Sequence, residues 1–167
     1  VKWKLTKKFS IGKRSSSSEI NMKKILIKSK EEMAALAREI AASTQVGEVV
    51  CLQGTLGAGK TFFAKSFINS LQENCSEILS PTFNLVYSYD TKKGEVFHFD
   101  LYRLKSPAEL ENIGFFDALK SGISLIEWPE IAADFLPKNS LKIEIKTSAQ
   151  NGEEAREIII KKLLTDE

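Results

Sequence analysis

A chain of 167 residues, 43% hydrophobic and 28% charged, can bury one core without disulfides or a structural metal and leaves no room for a second catalytic domain. Its net charge of +2 is unevenly spread: Lys2, Lys4, Lys7, Lys8, Lys13 and Arg14 face only Glu19 within residues 1–21, so the remainder is mildly acidic and lacks the clustered basic surface that electrostatic nucleic-acid binding needs. There is no long apolar run and no secretory apolar core near the start, and Cys51 and Cys75 lack metal or disulfide spacing, which excludes membrane-spanning and disulfide-scaffold classes and points to the cytoplasm.

Residues 1–21 end in a serine run and show no apolar period, so they read as a basic tail ahead of a single domain over residues 22–167. Residues 25–28 suit a short strand. Ser29, followed by Glu31 and Glu32, is an N-cap with an acidic first turn, and predicts a helix to about Ala42. Gly47 then opens an apolar, β-rich run over 48–53 that leads through a glycine-rich turn into an amphipathic helix over 61–72.

Two aromatic-rich segments, 83–89 and 95–101, flank a turn over 90–94 and read as a hairpin. Pro107 predicts the start of a helix to about Leu119, and 123–126 reads as a buried strand ending at Glu127. A short helix over 129–135 and strands over 141–146 and 156–161 complete the chain. This order predicts an α/β fold, a three-layer α/β/α sandwich of P-loop type with a mixed, mostly parallel sheet, whose strand ends at Gln53, Asp100 and Glu127 converge on the ligand edge.

The glycine-rich turn, GTLGAGKT over residues 54–61, satisfies the pattern GxxxxGK(S/T) between a strand and a helix. The chemistry explains the spacing. Gly54, Gly57, Ala58 and Gly59 let successive backbone N–H groups face phosphate oxygens, and the helix that follows adds its positive N-terminal end, with Phe62 in its first turn. Lys60 reaches the β and γ phosphates of ATP or ADP, and the Thr61 hydroxyl is a Mg²⁺ ligand.

Hydrolysis further requires an acid on the metal and a group that orients water. Glu127 and Asp100 both end apolar strands on the ligand edge. Glu127 is the preferred metal and water-orienting group and Asp100 a supporting or alternative metal contact, each weighed against a capping role near Pro129 and Tyr102. The single histidine, His98, excludes Ser-His-Asp, Cys-His and multi-histidine designs and reads as a core or supporting residue. SPTF over 80–83 is either a γ-phosphate-sensing loop or a turn entering a strand. The only arginines are Arg14, Arg38, Arg103 and Arg156, too few for the arginine-bearing lid of a small-molecule kinase.

Four blocks in order, GTLGAGKT (54–61), SPTF (80–83), HFDLYR (98–103) and IEWPE (126–130), resemble the TsaE family, formerly YjeE, of bacterial P-loop ATPases in tRNA threonylcarbamoyladenosine biosynthesis; the likeness runs from about Lys24 to Lys161. The resemblance implies that Thr61 and Glu127 hold Mg²⁺ with Asp100 in support, that Thr82 belongs to a switch-like loop, that Trp128 lies beside the nucleotide and that a loop at Gly152 approaches it. It also implies partners, TsaB and TsaD, with tRNA engaged only through the complex. Two positions depart from the family pattern: Thr55 stands where Asp is common, and Met33 where Thr is common. Against this reading stand a small-molecule kinase and a nucleotide-gated binding module.

Overall fold

The computed structural model describes residues 20–73 and 77–163. The predicted tail lies almost wholly outside the described residues, as does Cys75; Ile20 and Asn21 are already in a strand. Strands are β1 (Ile20–Ile27), β2 (Val49–Gln53), β3 (Val86–Thr91), β4 (Gly94–Asp100), β5 (Ile123–Glu127), β6 (Leu141–Thr147) and β7 (Arg156–Leu163). Helices are α1 (Lys30–Ser43), α2 (Lys60–Leu71), α3 (Glu109–Asn112) and α4 (Phe115–Ser121).

The strands form one sheet in the order β1-β7-β6-β2-β5-β4-β3. Its four central strands, β6-β2-β5-β4, are parallel, while β1, β7 and β3 add antiparallel pairings on the two flanks. The mixed sheet follows from the connections. Tight hairpins such as β3–β4 can only return antiparallel, whereas β2 to β5 is linked by crossovers long enough to bring strands back in the same direction.

Each face of the sheet carries its own core. On one side α1 and α2 bury Leu36, Ile40, Phe63, Phe67 and Ile68 against Val50, Leu52, Leu125 and Ile143. On the other, Val49, Cys51, Phe99 and Ile126 meet Leu110, Phe115 and Ala132. Alternate residues of β2 therefore serve opposite layers, as period 2 requires. Each fully buried Phe or Leu here is worth about 1.5–3 kcal/mol of transfer free energy. Burial pushes the Cys51 thiol up to about 12, so this cysteine is an unreactive packing group.

Local signals explain the helix ends. The Ser29 hydroxyl accepts from the Glu32 amide at 3.2 Å, and the Glu32 carboxylate reaches back to the Lys28 amide at 2.7 Å. At the other end of α1, Lys93 of the β3–β4 turn donates to the Ala41 and Thr44 carbonyls at 3.0 and 2.9 Å, filling acceptors that the helix leaves open and pinning the hairpin to it.

The short helix expected over 129–135 is present as a 3-10 helix, Pro129–Phe135, entered from Trp128 at φ 56°. Two expected elements differ. The helix over 107–119 is broken into α3 and α4 because Gly114 adopts φ 67°, a left-handed conformation that no helix continues through. The first hairpin strand begins at Val86 rather than Phe83, since Leu85 also has positive φ and residues 81–84 form a turn. Among the described residues no helix is long and apolar enough to cross a membrane.

Candidate functional site

The carboxyl ends of the central strands bring the predicted residues together. Glu127 closes β5 with Leu52 and Asp100 as its register neighbours on β2 and β4. The phosphate loop leaves β2 at once and ends in α2. Gly54 sits at φ 145°, and a Cβ there would stand 2.4 Å from the Ile145 carbonyl oxygen of β6, so only glycine lets the loop start against the sheet. Gly54→Ala is expected to cost about 1–3 kcal/mol by overpacking and to weaken ATP binding, read by thermal unfolding and calorimetry; unaltered binding would show that the loop shape is not what holds the ligand.

Gly59 is the N-cap of α2 at φ 115°, and it provides no side chain to occupy the first-turn N–H groups. Those donors are therefore left facing the loop's concavity, where an anion fits. Lys60, only 4% exposed, points back into the loop and donates to the Gly54 and Thr55 carbonyls at 2.7 and 2.9 Å. Its ammonium also lies 3.8 Å from the centroid of the Trp128 ring, which in turn packs on Tyr102 at 4.7 Å. Burial lowers the Lys60 pKa against the attraction of Glu127, Asp100 and Glu130.

Thr61 donates its hydroxyl to Glu127 Oε2 at 2.9 Å, and Glu127 itself is 1% exposed. The other carboxylate oxygen, Oε1, lies 2.8 Å from Nε2 of the buried His98. Asp100 is committed differently. Its Oδ1 accepts from the Tyr102 amide at 3.1 Å, a turn-capping bond, and its Oδ2 accepts from Thr82 at 3.2 Å, with Ser80 and Thr82 hydroxyls 2.9 Å apart. The capping reading of Asp100 and its link to the 80–83 loop thus hold together in one side chain.

Gly57 and Ala58 lie in the turn of the loop, and Phe62, half-exposed, lies in the first turn of α2. Gly152 is at φ 117° in the turn before β7, and it reaches the phosphate loop only by way of its neighbour in sequence: Arg156 Nε donates to the Ala58 carbonyl at 2.9 Å and Nη1 to the Glu153 carbonyl at 2.9 Å. This tie was not foreseen, because a side-chain bond to a backbone carbonyl ninety-eight residues away leaves no mark in local pattern. In the sequence Arg156 counts only among the arginines available for a lid.

Among the described residues no group of three or more His, Cys, Asp or Glu side chains is arranged to hold a metal by itself. One hydroxyl and one carboxylate, 2.9 Å apart, nevertheless suit Mg²⁺, which takes hard oxygen donors and commonly binds through one or two protein groups plus substrate phosphates. A separate concavity of about 490 Å³, lined by Ile40, Thr44, Val50, Leu141 and Ile160, lies at the opposite ends of the central strands and contains none of the predicted site residues.

Residues 27–158 match the sequence profile of the family described as threonylcarbamoyl adenosine biosynthesis protein TsaE. The chain belongs to the TsaE family. Its place in tRNA threonylcarbamoyladenosine modification and the ATP-binding, P-loop character of its site follow from that membership. The TsaE protein of Rickettsia felis is 39% identical over 127 residues, covering 76% of this chain and 74% of the relative. That of Aquifex aeolicus is 39% identical over 133 residues, covering 74% of this chain and 96% of the relative. The crystal structure of Bacillus subtilis YdiB superposes with a TM-score of 0.68 at 31% identity, covering 89% of this chain and 90% of that one.

Proposed function

We propose that this TsaE-family chain is a Mg²⁺-dependent ATPase that works in the cytoplasm as the accessory motor of a complex with TsaB and TsaD, touching tRNA only through them. The observation that carries the reading is the Thr61–Glu127 pair, a half-buried hydroxyl on a buried carboxylate at the foot of a phosphate cradle whose helix start is free of any side-chain cap. Bound Mg²⁺ would draw charge from the β and γ phosphates as the terminal bond breaks.

The chain's own groups do the rest. The loop amides of Gly57, Ala58 and Gly59 and the ammonium of Lys60 bind the phosphates; Thr61 and Glu127 hold the metal, with Asp100 steadying the edge beside them. The Glu127 carboxylate orients the attacking water, and Thr82 places the 80–83 loop where the terminal phosphate would be felt, through its bond to Asp100. Phe62 and Trp128 wall the nucleotide, and the loop at Gly152 closes on it from the β7 side.

Two features favour hydrolysis with a protein partner over phosphoryl transfer to a metabolite. Arg156 is occupied by backbone carbonyls and Arg103 lies over the Phe83 ring at 5.3 Å, so neither is a loose lid arginine. Leu56, Phe83 and Tyr102 are exposed apolar side chains on the loops that carry the site, the kind of surface a partner covers.

The test is ATP hydrolysis by the purified chain, alone and with TsaB and TsaD from its own source. Slow turnover that rises with the partners supports the reading. ADP formation that instead depends on an added metabolite would make it a kinase, and nucleotide binding with no turnover under either condition would make it a nucleotide-gated binding module.

A further inference from the structure

We propose that His98 is a positioning residue for Glu127: its Nε2–H fixes one carboxylate oxygen so that the other faces Thr61 and the metal position. The inference rests on the proposed role of Glu127 and concerns how that group is held.

The backbone sets up the contact. In the parallel pairing of β4 with β5, His98 is level with Leu125 and Asp100 with Glu127, so His98 and Glu127 lie on the same face of the sheet as diagonal neighbours. Both side chains are removed from water, His98 at 0% and Glu127 at 1% exposure, and Nε2 meets Oε1 at 2.8 Å. With Glu127 taken as the metal-holding carboxylate, which only accepts, Nε2 is the donor in this bond.

The opposite ring nitrogen carries the second observation. Nδ1 of His98 is buried and has no hydrogen-bond partner among the described residues. A residue kept for packing alone would not be an imidazole here, since an apolar ring would avoid burying an unpaired nitrogen among the Val96, Ile123 and Leu125 side chains of the same sheet face. The cost is offset at Nε2, where the donor meets a carboxylate that also receives the Thr61 hydroxyl on its other oxygen. With both oxygens held, Glu127 cannot rotate about its last bond, and the lone pairs aimed at the metal stay in register with Thr61. Histidine imidazoles and carboxylates placed behind metal ligands act in this way, and their loss commonly weakens metal binding about 10- to 100-fold.

Three variants separate positioning from packing. His98→Gln keeps an N–H near the place of Nε2, His98→Asn keeps one only near Nδ1, and His98→Leu keeps none. The readout is Mn²⁺ binding to the ADP complex, followed by the loss of the free-ion electron paramagnetic resonance signal, together with ADP affinity in the absence of divalent metal. His98→Leu and His98→Asn are expected to weaken Mn²⁺ about 10-fold or more while leaving metal-free ADP affinity unchanged, and His98→Gln to keep the wild-type Mn²⁺ affinity. Equal Mn²⁺ affinity in all three, or a loss in His98→Gln as large as in His98→Leu, overturns the inference. Glu127→Ala run alongside tells which idea has failed: if it too leaves Mn²⁺ binding intact, the metal role of Glu127 itself falls, whereas a loss confined to Glu127→Ala removes only the role of His98.

Discussion

Glu127→Ala is expected to lower ATP hydrolysis about 10²–10⁴-fold, the range for removal of a positioned acid–base group, while ATP affinity stays close to that of the unaltered chain. The separation follows from geometry. Phosphate binding draws on the loop amides, the start of α2 and Lys60, and Lys60 takes charge attraction from Glu127 but its hydrogen bonds from the Gly54 and Thr55 carbonyls. Metal holding and water orientation, by contrast, have no substitute within the pair, because Asp100, level with Glu127 on the neighbouring strand, already has both oxygens engaged by Thr82 and the Tyr102 amide.

The same substitution should also reduce stability. It strands the His98 Nε2–H in a buried place, at about 1–3 kcal/mol when left unpaired, and removes the partner of the part-buried Thr61 hydroxyl. Hydrolysis and calorimetric ATP binding should therefore be measured below the lowered unfolding transition. Loss of binding in step with hydrolysis, in a chain still folded, would mark Glu127 as a support of the cradle and not as the catalytic carboxylate.

The phosphate loop was legible because its chemistry constrains the backbone, and backbone constraints appear in sequence as glycine spacing: Gly54 must approach Ile145 and Gly59 must cap α2 in a left-handed turn. The strand ending at Glu127 was legible as a short apolar run, and the strand ending at Asp100 as the second aromatic arm of a hairpin. Residues 107–119 were misread because a helical period carries across a single glycine, and only the tertiary position of α4 decides that Gly114 turns the chain. The entry into β3 was misread because aromatic content suggested strand at Phe83, which is 82% exposed in a turn.

What sequence could not convey was posture. Lys60 is expected from the motif to reach phosphates, and the structure adds its contacts with the Gly54 and Thr55 carbonyls and the Trp128 ring. Trp128 itself has the left-handed backbone that tryptophan rarely adopts, and that strain sits at the mouth of the site, where strained residues commonly cluster. Residue type alone does not distinguish Asp100 from Glu127; the structure adds the hydrogen-bond partner of each carboxylate oxygen.

Lys60→Ala is expected to weaken ATP and ADP binding roughly 10- to 150-fold, the equivalent of about 1.5–3 kcal/mol for a hydrogen bond to a charged group, while AMP binding is little changed. AMP is the informative control, because the lysine reaches past the α phosphate to the β and γ positions. Burial lowers the Lys60 pKa, and the two loop carbonyls and the Trp128 ring take the place of water around its ammonium. Arriving phosphates favour the ammonium and pull its pKa back up, so binding favours the protonated lysine. Affinity for ATP should consequently fall as pH rises through the alkaline range, beginning at lower pH than an ordinary lysine would give, and this slope should vanish in Lys60→Ala. Calorimetry with ATP, ADP and AMP across that range reads all of these at once; equal weakening for the three nucleotides would mean that the substitution had collapsed the loop, whose Gly54 and Thr55 carbonyls the ammonium ties together, instead of removing a phosphate contact.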